Sequence, residues 1–137
     1  MTTSTIDGAL QATFRCAACN GVAATATYVR QGETYPDPFL KDAANEEDWL
    51  MIDGFLGAQG KCLDGHEAAV RAALENSSAK QLYQLAPLWA SFYCRKCQAS
   101  YCWDCWDSWI VMDDELPGWY DCTEGICPKG HEKMLDD

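Results

Sequence analysis

Residues Phe92 to Glu132 read FYCRKCQASYCWDCWDSWIVMDDELPGWYDCTEGICPKGHE. They hold six of the nine cysteines (Cys94, Cys97, Cys102, Cys105, Cys122 and Cys127) and one of the two histidines, His131. The earlier chain reads as a shorter version of this stretch. Phe14-Arg-Cys16-Ala-Ala-Cys19 matches Phe92-Tyr-Cys94-Arg-Lys-Cys97. Trp49-Leu-Met-Ile-Asp53 matches Trp109-Ile-Val-Met-Asp113. Gly60-Lys-Cys62-Leu-Asp-Gly65-His66-Glu67 matches Gly125-Ile-Cys127-Pro-Lys-Gly130-His131-Glu132. Three blocks recur in one order with different loop lengths between them, which points to a duplicated metal-binding module.

The 137 residues suffice for one ordinary domain or two small modules. Acidic residues outnumber basic ones 21 to 10, for a formal net charge of -11. That balance opposes nucleic-acid binding, which needs a basic face to displace phosphate counterions. It equally opposes an anionic membrane surface, and no apolar run approaches the ~20 residues of a bilayer span. The first residues, MTTSTIDGALQATF, have neither a basic region nor an apolar core and do not read as a secretory signal. Nine cysteines without such a signal point to metal ligands in a reducing cytoplasm, not disulfides.

Four segments are expected. Residues 1–13 form an N-terminal arm, loose or with one helical turn. Residues 14–76 form a first zinc module, with strands over Val22–Arg30 and Trp49–Asp53 and a helix from about Gly65 to Asn76. In that helix Ala69, Val70, Ala73 and Leu74 fall on one apolar face. Gln31–Phe39, with Gly32, Pro36 and Pro38, reads as a loop, and Lys41–Asp48 as a helical turn or solvated loop. Residues 77–91 form a helical connector, Ala79 to Ala86, capped by Ser77-Ser78 and broken at Pro87. Residues 92–137 form a second zinc module. Ala99–Trp106 and Ser108–Met112 pair there as strands, and a helix runs from Pro128 to about Leu135.

The spacings carry the chemistry. Cys-x2-Cys lets two thiolates grip one ion, and Cys-x3-His suits the second half of a tetrahedral site. On a helical first turn, a cysteine and a histidine four apart share one side, and the helix N-terminus steadies the anionic centre. The expected sites are therefore Cys16, Cys19, Cys62 and His66, and Cys94, Cys97, Cys127 and His131. The histidines favour zinc over a four-cysteine iron centre. The order of knuckle, hairpin and Cys-x3-His resembles the treble-clef superfamily of zinc fingers. That resemblance implies a small α+β fold: two treble-clef-like modules, each knuckle, β-hairpin and helix, joined by the helical connector. Tyr101-Cys102-Trp103-Asp104-Cys105-Trp106 and the Gly-His-Glu ending give residues 92–132 a likeness to RING, in-between-RING and B-box fingers.

Cys102, Cys105 and Cys122 have no counterpart in the first half. Three readings stand for them: a third zinc completed by Asp104, Asp121 or Glu124; a cross-brace of Cys102 and Cys105 with Cys127 and His131; or a redox pair of Cys102 and Cys105. Trp103, Trp106, Trp109, Trp119 and Tyr120 supply a small core over the second site. Any that remain outside would form an aromatic patch rimmed by acids, suited to a basic protein partner. Metalloprotease, deaminase, phosphate-loop and nucleophile-elbow patterns are absent, and both histidines are taken as ligands. The expectation is a non-enzymatic, zinc-stabilised interaction module that binds a protein and neither nucleic acid nor membrane. The rival is thiol-dependent redox or RING-like transfer chemistry on Cys102, Cys105 and Cys122.

Overall fold

The computed structural model describes residues 10–32, 47–63 and 65–136. Among these residues there are nine strands in three antiparallel sheets, two short α-helices and two 3-10 turns. The expectation of two treble-clef-like modules joined by a helical connector is overturned: the fold is mostly β.

The first sheet has the order β1-β2-β3-β4, from Gln11–Arg15, Val22–Val29, Trp49–Asp53 and Ala58–Cys62. β2 is rich in alanine and β-branched residues, which lie flat on a pleated surface. Leu50 and Ile52 of β3 pair with Tyr28 and Ala26 of β2 on one face, and all four are buried. The alternating register turns Val29 and Met51 to the other face, where Trp49 and Ala58 cover them. The helix α1 (Glu67–Glu75) follows, with Val70, Ala73 and Leu74 buried against the sheet. A brief turn leads to α2 (Ala79–Leu85), whose first turn is capped by Ser78 Oγ accepting from Gln81 N at 3.1 Å. Pro87 then opens the 3-10 turn Pro87–Ala90, where its missing N–H costs nothing.

The second half holds two small sheets. β5 (Tyr93–Cys94) and β6 (Ala99–Ser100) form a two-residue ladder. β7 (Asp107–Met112), β8 (Tyr120–Ile126) and β9 (Glu132–Asp136) form a meander in that order. Two local expectations fail here. Ala99–Trp106 is not the hairpin partner of the next strand: it is β6 followed by the 3-10 turn Trp103–Cys105, and β7 pairs with β8. The helix expected from Pro128 is β9, preceded by a turn in which Gly130 takes φ 90°. Residues 11–13, expected in a loose arm, lie in β1. The expectations for residues 1–9, for Glu33–Phe39 of the loop and for Lys41–Glu46 fall outside the described residues.

One apolar core joins the two halves. Phe14 of β1 stacks on Phe92 with ring centroids 5.2 Å apart. Phe55, from the β3–β4 turn, meets Phe92 at 6.1 Å and Trp103 at 5.4 Å, both edge to face. Lys133 of β9 crosses this junction. Its Nζ donates to the carbonyls of Ser91 (3.0 Å) and Tyr93 (2.9 Å) and lies 4.9 Å from the Tyr83 ring centre. Burial lowers its pKa to about 8.

Candidate metal centres

The first two Cys-x2-Cys segments, Cys16–Cys19 and Cys94–Cys97, are tight turns between strands. In the first, Cys16 N donates to Gly21 O (2.7 Å) and Asn20 N to Cys16 O (2.8 Å). Asn20 closes the turn at φ 64°, and Gln98 does the same after Cys97 at φ 53°. Asparagine tolerates this left-handed region better than most residues; glutamine has no such advantage and is held by the turn around it. Gly21 N then points at Cys19 Sγ, at 3.4 Å. A side chain at Gly21 would bring its Cβ to 3.4 Å from that sulfur.

The first cluster is Cys16, Cys19, Cys102 and Cys105, whose ligand atoms all lie within 4.8 Å of one another. Its fixed link is backbone: Ala17 N donates to Ser100 O at 2.8 Å, stitching the first turn to β6 two residues before Cys102. Cys102 is extended, and the 3-10 turn after it swings Cys105 back, with Cys105 N donating to Cys102 O at 3.0 Å. Trp106 Nε1 anchors the far side of the turn on Tyr101 O at 3.1 Å. Sγ–Sγ distances are 3.5 Å for Cys19–Cys102 and 3.5 Å for Cys102–Cys105. Burial pushes the Cys16 thiol up, but N–H groups of Cys102, Cys19 and Ala18 outweigh it and bring the pKa to about 6. Cys105 is driven the other way, by its hydrogen bonds to Cys102 and then Cys16, and Cys102 rises through burial. Thiolates that converge on one point repel one another, so the thiols resist joint ionisation until a cation offsets their charge.

The second cluster is Cys94, Cys97, Cys127 and His131, again within 4.8 Å. The β5–β6 turn supplies the first two. The β8–β9 turn supplies the others, closed by Gly130 N to Cys127 O (2.8 Å) and Cys127 N to His131 O (3.0 Å). His131 Nδ1 faces all three sulfurs: Cys94 at 3.5 Å, Cys97 at 3.2 Å and Cys127 at 3.4 Å. Cys97 and Cys127 are 3.7 Å apart. Burial raises the Cys94 thiol. Burial also opposes ionisation of Cys127, yet N–H groups of His131 and Lys129 prevail and lower its pKa. Tyr101 lies beside this cluster, its phenol raised mainly by a hydrogen bond to Cys97.

Both donor sets fit a tetrahedral dication. Bonds of about 2.3 Å to sulfur and about 2.0 Å to nitrogen imply roughly 3.8 Å between sulfurs and roughly 3.6 Å from sulfur to nitrogen. The edges given above, 3.5 to 3.7 Å between sulfurs and 3.2 to 3.5 Å from sulfur to nitrogen, are slightly shorter, and all the others lie within 4.8 Å. No carboxylate of the described residues enters either group. None of the nine cysteines is in a disulfide.

The second expected set is thus brought together whole, and the first is not. Cys62 and His66 fall in neither cluster. Cys62 Sγ donates to Glu47 Oε1 at 3.3 Å, and the His66 ring packs edge-on against Trp89 at 6.1 Å. Cys102 and Cys105 stand in their place beside Cys16 and Cys19. Cys102 and Cys105 are brought together neither with Cys127 and His131 nor with Cys122. Cys122 is buried in β8 and also joins neither cluster. Three Cys-x2-Cys units in the sequence were the available signal, but their pairing depends on the contact between the β1–β2 turn, at Ala17, and Ser100 of β6. The four pairs alternate along the chain: first with third, second with fourth.

No helix among the described residues is long and apolar enough to cross a membrane. No curated protein and no solved structure matches the chain. A family described as "Domain of unknown function (DUF8328)" matches residues 5–137, nearly the whole chain, and the protein therefore belongs to that family.

Proposed function

We propose that the protein is a zinc-stabilised, non-enzymatic interaction module carrying two structural ions per chain. One ion is held by Cys16, Cys19, Cys102 and Cys105, the other by Cys94, Cys97, Cys127 and His131. The observation that carries this reading is the convergence of two four-donor sets of cysteine and histidine, the ligand atoms of each lying within 4.8 Å of one another. A closed set of four protein ligands leaves no open position for substrate, which is the mark of a structural site. Two sets of sulfur-rich donors with an imidazole in one suit zinc better than the hard cations. Thiolates that must stay reduced fit a reducing compartment such as the cytoplasm.

The surface supports the interaction half of the reading. Metal loading turns seven thiols into thiolates against two dications, so the loaded chain is about three units more negative than -11. Such a surface favours a basic protein partner over nucleic acid or an anionic membrane. Elemental analysis of protein purified without added metal tests the core claim. Two zinc ions per chain are expected; one or none in a sample with native near-UV circular dichroism rejects it.

A further inference from the structure

We infer that the free edge of β7 is a docking strand for an extended segment of a partner protein, apolar at alternate positions and flanked by lysine or arginine. This rests on the interaction-module reading and names its surface. β7 closes the order β7-β8-β9 at one side, and no strand among the described residues pairs with its outer edge. Exposed edges are ordinarily blunted by charge, proline, bulges or cover. β9, the opposite edge, carries Glu132, Lys133 and Asp136, and Lys133 is tied to Ser91 and Tyr93. β4 carries Gly60 and Lys61. β7 reads Asp-Ser-Trp-Ile-Val-Met, with nothing charged after Asp107 and neither proline nor glycine; its pairing with β8 is regular from Asp107 to Val111 and shifts register only between Val111 and Met112.

Both faces of that edge offer apolar side chains. Register places Trp109, Glu124 and Met134 in one row across the sheet, with Trp109 and Met134 exposed. On the other face Ile110 is 64% exposed, and Met112, beside Tyr120, is exposed as well. A strand laid on β7 would therefore bury alternate side chains on both sides while its backbone took up the open ladder.

Charge selects the occupant. Between Lys96 and Lys129 the chain has no lysine or arginine. Asp104 and Asp107 stand before and within the start of β7, and Asp113, Asp114 and Glu115 follow its end. None of the five makes an ion pair among the described residues. A second copy, paired antiparallel about the middle of β7, would set Asp104 and Asp107 alongside Asp113, Asp114 and Glu115 of its twin. That repulsion disfavours self-association, whereas a segment with cations at its ends is attracted at both.

The test uses the metal-loaded full chain against a displayed library of random octapeptides. Enrichment of β-branched or aromatic residues at alternate positions with flanking lysine or arginine is expected. A synthetic copy of an enriched peptide should slow amide exchange in residues 107–112. It should bind on the order of tenfold more weakly to Ile110→Lys, which adds an edge charge at an exposed site, and more weakly at high salt. No enrichment, enrichment of uncharged or acidic peptides, or binding indifferent to Ile110→Lys overturns the inference. A dimer of the chain alone that Ile110→Lys dissolves overturns it too, in favour of a second copy. Metal content and near-UV circular dichroism of the same samples separate the two proposals: a failed edge with two bound ions leaves the metal reading intact, while a missing ion in a folded sample rejects that reading.

Discussion

The two clusters begin with the same turn and do different work. Cys16–Asn20 and Cys94–Gln98 share the Cys-x2-Cys spacing and a left-handed residue after the second cysteine. The second cluster then finds its remaining ligands within the local meander, the farthest 37 residues away. The first reaches 83 residues to Cys102. Chain entropy scarcely distinguishes them, because loop-closure cost grows only logarithmically: the difference is about 0.7 kcal/mol. What differs is the structure each one fastens. The local cluster ties β5–β6 to the β8–β9 turn. The long-range one ties the four-stranded sheet to the second half, at the stitch between Ala17 and Ser100.

The largest test of this contrast is metal removal. A structural zinc contributes roughly 10–16 kcal/mol of apparent folding free energy, as much as a whole domain's net stability. A strong chelator should abolish near-UV circular dichroism, and Cys127→Ser, at a buried ligand, should do so without chelator. A native spectrum and melting temperature in the stripped protein would show that neither cluster holds the fold.

Next come Cys16→Ser and Cys62→Ser, which set the two halves of the internal repeat against each other. Cys16→Ser should lower the metal count by one. Cys62→Ser should leave it unchanged, because that thiol donates to Glu47 and belongs to neither cluster. His66→Ala should likewise keep both ions and lose only an edge-on contact with Trp89, worth about 0.5–1.5 kcal/mol. A lost ion in Cys62→Ser or His66→Ala would restore the duplicated ligand set.

The repeat explains what could be read in advance. Cys62-x3-His66 and Cys127-x3-His131 do share a backbone feature, a left-handed glycine before each histidine: Gly65 at φ 84° and Gly130 at φ 90°. They diverge in the next residue, where Glu67 opens α1 and Glu132 opens β9. Alanine-rich sequence with one apolar face announced α1, and the Ser78 cap announced α2. Pro128 looked like a helix start, but it sits in a β-turn, which favours proline for the same fixed φ. The grouping of Cys94, Cys97, Cys127 and His131 was legible because every contact behind it is short in sequence. The pairing of Cys16 and Cys19 with Cys102 and Cys105 was not, since it follows from packing Phe14 on Phe92 and from the hydrogen bond of Ala17, in the turn after β1, to Ser100 of β6. No local pattern encodes such a contact.

A smaller effect is expected at the joint between the halves. Lys133→Met keeps most of the aliphatic stem against Tyr83 but leaves the carbonyls of Ser91 and Tyr93 without their donor. Unpaired buried acceptors cost about 1–3 kcal/mol in all. The melting temperature should fall with both ions retained. Loss of the ion at Cys94, Cys97, Cys127 and His131 would mean that Lys133 positions that cluster and does more than fasten β9.

The smallest effect belongs to a site remote from both clusters and separates carboxylate from thiolate chemistry. Asp48 accepts from Tyr28 Oη at 2.6 Å and from Gln31 N at 2.7 Å, with Arg71 3.7 Å away. The Tyr28 hydrogen bond, then that of Gln31, holds its pKa below the usual carboxylate value. Because the folded pKa is depressed, its stabilisation is fully present above the unfolded carboxylate pKa. It is lost as pH falls through the folded value. Metal release follows the same direction of pH, since protons compete for the cysteines and His131. Asp48→Asn isolates the carboxylate: it should lower stability at neutral pH by roughly 1 kcal/mol or less, given partial solvent screening. The gap between wild type and Asp48→Asn should close on acidification, while both proteins release their ions at the same pH. Chemical denaturation across that range measures the gap, and a metal-sensitive dye measures release. If Asp48→Asn shifts the pH of metal release, the β2–α1 joint is coupled to the long-range cluster, and the two anchoring systems cannot be treated as independent.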